Sequence, residues 1–132
     1  MIFKQDDTFH RRFVVTEHIQ ECFIEIFKDR NPLHLDDGFA ISKGFQGRVM
    51  HGNILGGFLS YFIGECLPTK DVIIHSQEIQ YKHAIYMNDA LDFEAKVVGV
   101  YESVGAVEFK FIFRNSEGKI VSKGMIQIGL LP

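Results

Sequence analysis

A carboxylate and an imidazole, Asp29 and His34, stand at the two ends of the segment Asp29-Arg-Asn-Pro-Leu-His34. An imidazole titrates near neutrality and can take or give a proton, while a carboxylate can orient a water or tune that imidazole, so the pair has the means to activate water. Five residues apart on a regular helix the two groups would splay. Pro32 breaks the helical path and lets a loop converge them. The same residues also suit a plain capping loop, in which Asp29 and Asn31 accept from backbone donors and His34 is half exposed. A second group, Met50-His51-Gly52-Asn53, opens an apolar stretch. Backbone N–H groups at a helix N-terminus lack intrahelical partners and sit at the positive end of the macrodipole, so Gly52 can bring an N–H against a developing oxyanion. The alternative is that Gly52 makes a tight connection and His51 is a satisfied core residue. Ser60, two turns further on, either faces a pocket or bonds back to a helix carbonyl.

The remaining histidines are less suggestive. His10 and His18 lie in polar surroundings, and His75 and His83 lie in or near the first long strand. There is no HExxH or His/Cys cluster, no GxGxxG or GxxxxGK[ST] loop and no GxSxG elbow. No metal and no cofactor is expected, and dinucleotide, nucleotide and serine-hydrolase chemistries lose their entry points.

Two kinds of element must position these residues. Thr16 suits the N-cap of a helix carrying Ile19, Cys22, Phe23, Ile26 and Phe27 as one apolar stripe, which predicts that the helix packs on something. Lys28 to Asp37 is a structured loop. The stretch from Asn53 places Ile54, Leu55, Phe58, Leu59, Phe62, Ile63 and Cys66 around most of a helix, which predicts a buried central helix ended by Pro68. Gly56, Gly57 and Gly64 would let backbone or ligand approach it closely. From Val72 the period changes to two: Leu91, Phe93, Ala95 and Val97 alternate with Asp92, Glu94 and Lys96, as Val107, Phe109, Phe111 and Phe113 do with Glu108 and Lys110. Turn signals at Glu102–Gly105 and Asn115–Gly118 join three strands as consecutive hairpins. An apolar helix and about four long antiparallel strands predict an α+β fold with a curved sheet wrapped around that helix. Such a sheet leaves edges unpaired, so dimerisation is expected.

The 132 residues suit one domain, 1–132, with 46% hydrophobic and 23% charged residues. With 14 basic against 17 acidic residues and a net charge of −3, the chain has no excess with which to neutralise phosphates, so no nucleic-acid partner is expected. Lys43, Arg48, Lys70 and Lys82 are the cations available to meet a ligand phosphate. Cys22 and Cys66 lack the spacing of a zinc site or disulfide framework and are expected to be reduced core residues. The N-terminus carries acids where a signal peptide is apolar, and no stretch approaches the ~18 apolar residues of a membrane helix. A cytoplasmic protein without a membrane partner is expected. Thirteen Phe and no Trp are unusual in so short a chain. Phe23 and Phe27 belong to the first helix, Phe93, Phe109, Phe111 and Phe113 to the sheet, and Phe58 and Phe62 to the central helix.

Asp29-x-Asn31-Pro32-x-His34, five residues, Ala40, then Gly47-Arg-Val-Met-His51-Gly52 opening an apolar helix resembles the MaoC-like (R)-specific enoyl-CoA hydratases, and the resemblance covers nearly the whole chain. It implies a hot-dog fold, with the sheet wrapped around a long central helix. It further implies that Asp29 and His34 hold and activate the water added across a trans-2-enoyl thioester, that the Gly52 N–H binds the thioester oxygen, and that Asn31 fixes the loop or the water. By the same resemblance Ser60 lines the acyl pocket, and Phe58 and Phe62 are candidates to limit acyl length. His51, beside Gly52, joins them among the substrate-binding residues. The substrate implied is an acyl thioester of CoA or acyl carrier protein, hydrated or, in reverse, formed by dehydration of a (3R)-3-hydroxyacyl thioester. The partner implied is a second copy, in a homodimer or a higher oligomer of dimers. The chain departs from the family at Lys28, where Gly is usual, and at Phe27, where a small residue is common. The alternatives are a hot-dog thioesterase, for which the central helix offers only Glu65 as carboxylate, and a non-catalytic acyl-binding module.

Overall fold

A computed structural model describes residues 1–132. The elements run β1 (Thr8–Val14), α1 (Glu17–Phe27), α2 (Pro32–Leu35), α3 (Asp37–Ser42), α4 (Ile54–Tyr61), β2 (Val72–Tyr81), β3 (Ala90–Tyr101), β4 (Ala106–Arg114) and β5 (Ile120–Leu130). The strands form one sheet in the order β1-β3-β4-β5-β2, every pair antiparallel. β3, β4 and β5 are the expected meander. Asn115 Oδ1 accepts from Glu117 N and Lys119 N, and Gly118 takes φ 79° to close the second hairpin.

The period-two pattern sets what the sheet buries. Leu91, Phe93, Ala95 and Val97 on β3 and Val107, Phe109, Phe111 and Phe113 on β4 are buried, while Asp92, Lys96 and Lys110 are exposed. Against this inner face lies α4, extended through a π-helical turn, Phe62–Cys66. Leu67 is already extended, as a residue before proline must be, so Pro68 ends the helix as its position predicts. Phe62 is 1% exposed, with its ring centroid 4.9 Å from that of Phe93 and 5.7 Å from that of Phe109. The expected wrapped sheet is therefore present, and its core is a ring-on-ring aromatic cluster.

Three expectations are corrected. A fifth strand, β1, was not read from the sequence, because its inward parity is Phe9, Arg11, Phe13 and the central cation masks the alternation. Arg11 Nε instead donates to Cys66 Sγ at 3.2 Å. The apolar stripe of α1 is not packed away: Ile26 and Phe27 are 67% and 66% exposed, and only Ile19 and Phe23 are partly covered. Cys22, on the same helix, is exposed rather than a core residue, with Sγ 3.6 Å from His18 Nε2, and Cys66 is half-buried; both are free thiols. No helix is long and apolar enough to cross a membrane.

Candidate active site

The site is assembled by α1, the loop that follows it, and the entry to α4. Thr16 Oγ1 accepts from Ile19 N, which starts α1 where the sequence predicts. The helix ends at Lys28, whose φ of 62° is left-handed, and this reversal presents Asp29. Glycine takes that conformation at no steric cost, whereas a side chain is strained in it. Lys28→Gly is accordingly expected to stabilise the fold by about 1 kcal/mol, read from urea unfolding curves.

The capping and catalytic readings of the next residues turn out to coexist. Asp29 Oδ1 accepts from Asn31 N at 3.2 Å, and Asn31 Oδ1 caps α2 by accepting from Leu33 N at 2.9 Å. These bonds fix the loop and leave Asp29 Oδ2 turned toward His34 Nε2, 3.8 Å away. That gap is too wide for a direct hydrogen bond and narrow enough for one oxygen atom to bond to both. His34 Nδ1 lies 2.7 Å from the Val49 carbonyl oxygen, which can only accept, so Nδ1 carries the proton and Nε2 presents a lone pair. The carbonyl of His34 is itself held by Gln20 Nε2 at 2.8 Å, from a side chain in a residue only 3% exposed. Gln20 was missed in the sequence. Its signal was a polar side chain sharing the α1 face with Phe23 and Phe27.

His51 is both a core residue and part of this cluster. It is buried, its Nε2 donates to the Asp29 carbonyl oxygen at 3.0 Å, and its ring stacks on His34 with centroids 3.9 Å apart. Its buried Nδ1 has no hydrogen-bond partner. Ligand atoms of Asp29, His34 and His51 lie within 4.8 Å of one another, and His51 Nε2, 3.9 Å from Asp29 Oδ2, is already bonded to the backbone. Gly52 follows, and its N–H donates to no group of the chain. A Cβ on Gly52 would lie 2.8 Å from Tyr81 Cε1, so the ring of Tyr81 packs directly against this backbone and would have to shift to admit a side chain there.

Two cavities meet at these residues. One, about 450 Å³, is lined by Asp29, His34, His51, Gly52, Tyr81 and Lys82, among others. The second, about 780 Å³, is more apolar and runs between α1 and α4, where Ile19, Ile26, Phe27, Gly57 and Phe58 line it. Phe23, Asp29 and Asn53 line both. The exposed stripe of α1 is thus one wall of an open apolar slot. A polar chamber with a carboxylate, an imidazole lone pair and a free N–H, opening onto an apolar slot, can hold a polar reacting head with a hydrocarbon tail.

Comparison with known proteins gives the same direction. The model of the MaoC-like domain matches residues 4–112. The chain belongs to the MaoC-like family. It is 32% identical over 81 residues to an (R)-specific enoyl-CoA hydratase from Aeromonas caviae, a match covering 61% of this chain and 60% of that one. The chain thus spans less than two thirds of that curated relative. An R-hydratase from Pseudomonas aeruginosa superimposes with TM-score 0.87 at 25% identity over 98% of this chain and 83% of its own. The (R)-hydratase of A. caviae involved in PHA biosynthesis superimposes with TM-score 0.89 at 23% identity over 98% of each chain, which shows the shared hot-dog fold.

Within this MaoC-like chain the remaining candidates divide. Phe58 lines the apolar slot and stacks on Phe13 at 4.6 Å. Phe62 does not reach it: it sits a turn further along, on the face of the helix turned to the sheet. Ser60 is exposed and lines neither cavity. Glu65, the only carboxylate of the central helix, is also outside both and pairs with Lys70 at 2.8 Å. Of the four cations singled out, Arg48 faces Asp37 and Lys43 lies over Phe39, which leaves Lys82 at the cavity. Tyr81 and His83, beside Lys82, were not read from the sequence as site residues. They arrive there because β2 ends against Gly52, a long-range packing that no local pattern encodes.

Proposed function

We propose that this MaoC-like protein hydrates trans-2-enoyl thioesters to (3R)-3-hydroxyacyl thioesters, or runs the same step in reverse. The observation that carries this reading is the 3.8 Å gap between Asp29 Oδ2 and His34 Nε2, beside an unpaired Gly52 N–H and at the head of an apolar slot. A water bridging the two side chains gives its proton to His34 Nε2, whose lone pair is fixed by the Nδ1–H bond to Val49. Its oxygen bonds to C3, the double bond shifts to an enolate, and the pair returns a proton to C2. Negative charge rises on the thioester oxygen during this step. A preorganised N–H aimed at it stabilises that transition state by on the order of 3 kcal/mol. Asn31 acts through the loop it caps, and His51 by stacking on His34.

The 132 residues act, on this reading, as one hot-dog domain of a cytoplasmic hydro-lyase, using no metal or cofactor. Its edge strand β2 supports a homodimer: it is ten residues long, has no partner on its outer side, and exposes Ile73, Ile74 and Tyr81. Because β2 also carries Tyr81 into the cavity, a second copy pairing there would close the site's mouth.

The direct test is to follow enoyl absorbance and free thiol together on a trans-2-enoyl-CoA. Loss of enoyl without thiol release is the expected result. Thiol release at the same rate would mean hydrolysis, and loss of neither signal would contradict the reading.

A further inference from the structure

Asn53 holds the N-cap position of α4 yet makes no capping hydrogen bond, although asparagine is among the residues best suited to cap. Its side chain is engaged elsewhere: Tyr81 O–H donates to Asn53 Oδ1 at 3.3 Å. That leaves the Nδ2 amide with two donors and no partner in the chain. Asn53 is also one of only three residues, with Phe23 and Asp29, that line both cavities, so its amide stands where the polar chamber opens onto the apolar slot. It is the residue next to Gly52, whose N–H is the other unpaired donor there.

Building on the hydratase reading, we propose that the Asn53 amide is a second donor to the thioester oxygen, alongside the Gly52 N–H, and that Tyr81 is the positioning residue that turns it there. An amide whose oxygen is already bonded presents its nitrogen, so the Tyr81 contact decides which end meets the substrate. Burial raises the Tyr81 phenol above its ordinary value, which keeps the hydroxyl protonated and donating throughout the physiological range. The Tyr81 ring also packs against Gly52, so one residue touches both donors. A donor fixed before charge develops stabilises the transition state without reorganising during the reaction.

The test compares turnover and melting temperature for wild type, Asn53→Ala, Asn53→Asp, Tyr81→Phe and the Asn53→Ala/Tyr81→Phe double variant on a trans-2-enoyl-CoA. Asn53→Ala is expected to lower kcat by ~10²-fold with KM little changed. Asn53→Asp keeps the shape but replaces the donor with an acceptor, and is expected to lose at least as much. Tyr81→Phe is expected to lose about 5-fold in kcat. The double variant is expected to be no worse than Asn53→Ala alone, because Tyr81 acts only through Asn53. Asn53→Ala at wild-type kcat, or losses that simply multiply in the double variant, would overturn the proposal. So would variants whose melting temperature falls while kcat holds, the mark of a purely structural bond. Failure here is separable from failure of the hydratase reading: an active wild type with unaffected Asn53 variants removes only this assignment, and an inert wild type removes both.

Discussion

Asp29→Asn is expected to lower turnover of a trans-2-enoyl-CoA by at least ~10²-fold while leaving the melting temperature close to that of wild type. The separation follows from the division of labour between the two carboxylate oxygens. Oδ1 accepts from Asn31 N and so holds the loop, a bond that an asparagine carbonyl reproduces. Oδ2 faces His34 Nε2, and there the substitution puts an uncharged NH₂ donor in place of a charged acceptor. The bridging water then loses one of the two acceptors that orient it. His34→Ala is expected to give a loss of the same order by removing the other. Unlike the Asp29 variant, it also strips the ring that stacks on buried His51, so some loss of stability accompanies it. Steady-state kinetics beside thermal unfolding separates the two effects, and wild-type turnover in either variant would refute the assignment.

Phe62→Ala is expected to cost about 3–5 kcal/mol of folding free energy, the range for deleting a fully buried aromatic ring. The ring of Phe62 meets those of Phe9, Phe93 and Phe109 on three strands of the sheet, so its removal leaves a cavity lined by their rings. It should leave the preference for acyl chain length untouched, since Phe62 lines neither cavity. Phe58→Ala is the contrasting variant. Phe58 walls the slot beside Gly57, so its truncation lengthens the space there and is expected to shift the optimum toward longer acyl chains. Denaturant titration and a chain-length series measure the pair. A changed chain-length profile in Phe62→Ala, with none in Phe58→Ala, would reverse their roles.

These two phenylalanines also mark how far sequence reading reaches. Both lie on the central helix four residues apart, and helical spacing alone puts them on similar faces. What distinguishes them is depth along the helix: Phe58 stands at the slot beside Gly57, whereas Phe62, one turn further on, is enclosed by Phe9, Phe93 and Phe109, a tertiary placement that a 3.6-residue pattern does not announce. The sheet itself was legible because apolar and polar residues alternate over Leu91–Val97 and again over Val107–Phe113, with a turn signal between. β1 was not, since Arg11 occupies its middle inward position. The exposed stripe of α1 shows a different limit. Its periodicity was real, but apolar spacing cannot tell a helix packed on a core from one that walls an open slot. At the site, Asp29, His34 and Gly52 stood out because a carboxylate and an imidazole flanking Pro32, and a glycine at the start of an apolar helix, are local signals and form one family motif. Gln20, Asn53 and Tyr81 did not, because each acts through a contact between segments distant in sequence.

The central claim is that the water held between Asp29 and His34 adds its oxygen to C3 of the acyl chain. It is tested most directly by running the reaction on trans-2-butenoyl-CoA in ¹⁸O-labelled water and locating the label by mass spectrometry. A single ¹⁸O in the C3 hydroxyl of an intact, (3R)-configured 3-hydroxyacyl-CoA is the predicted result. Label in a free carboxylate, with CoA released, would contradict it.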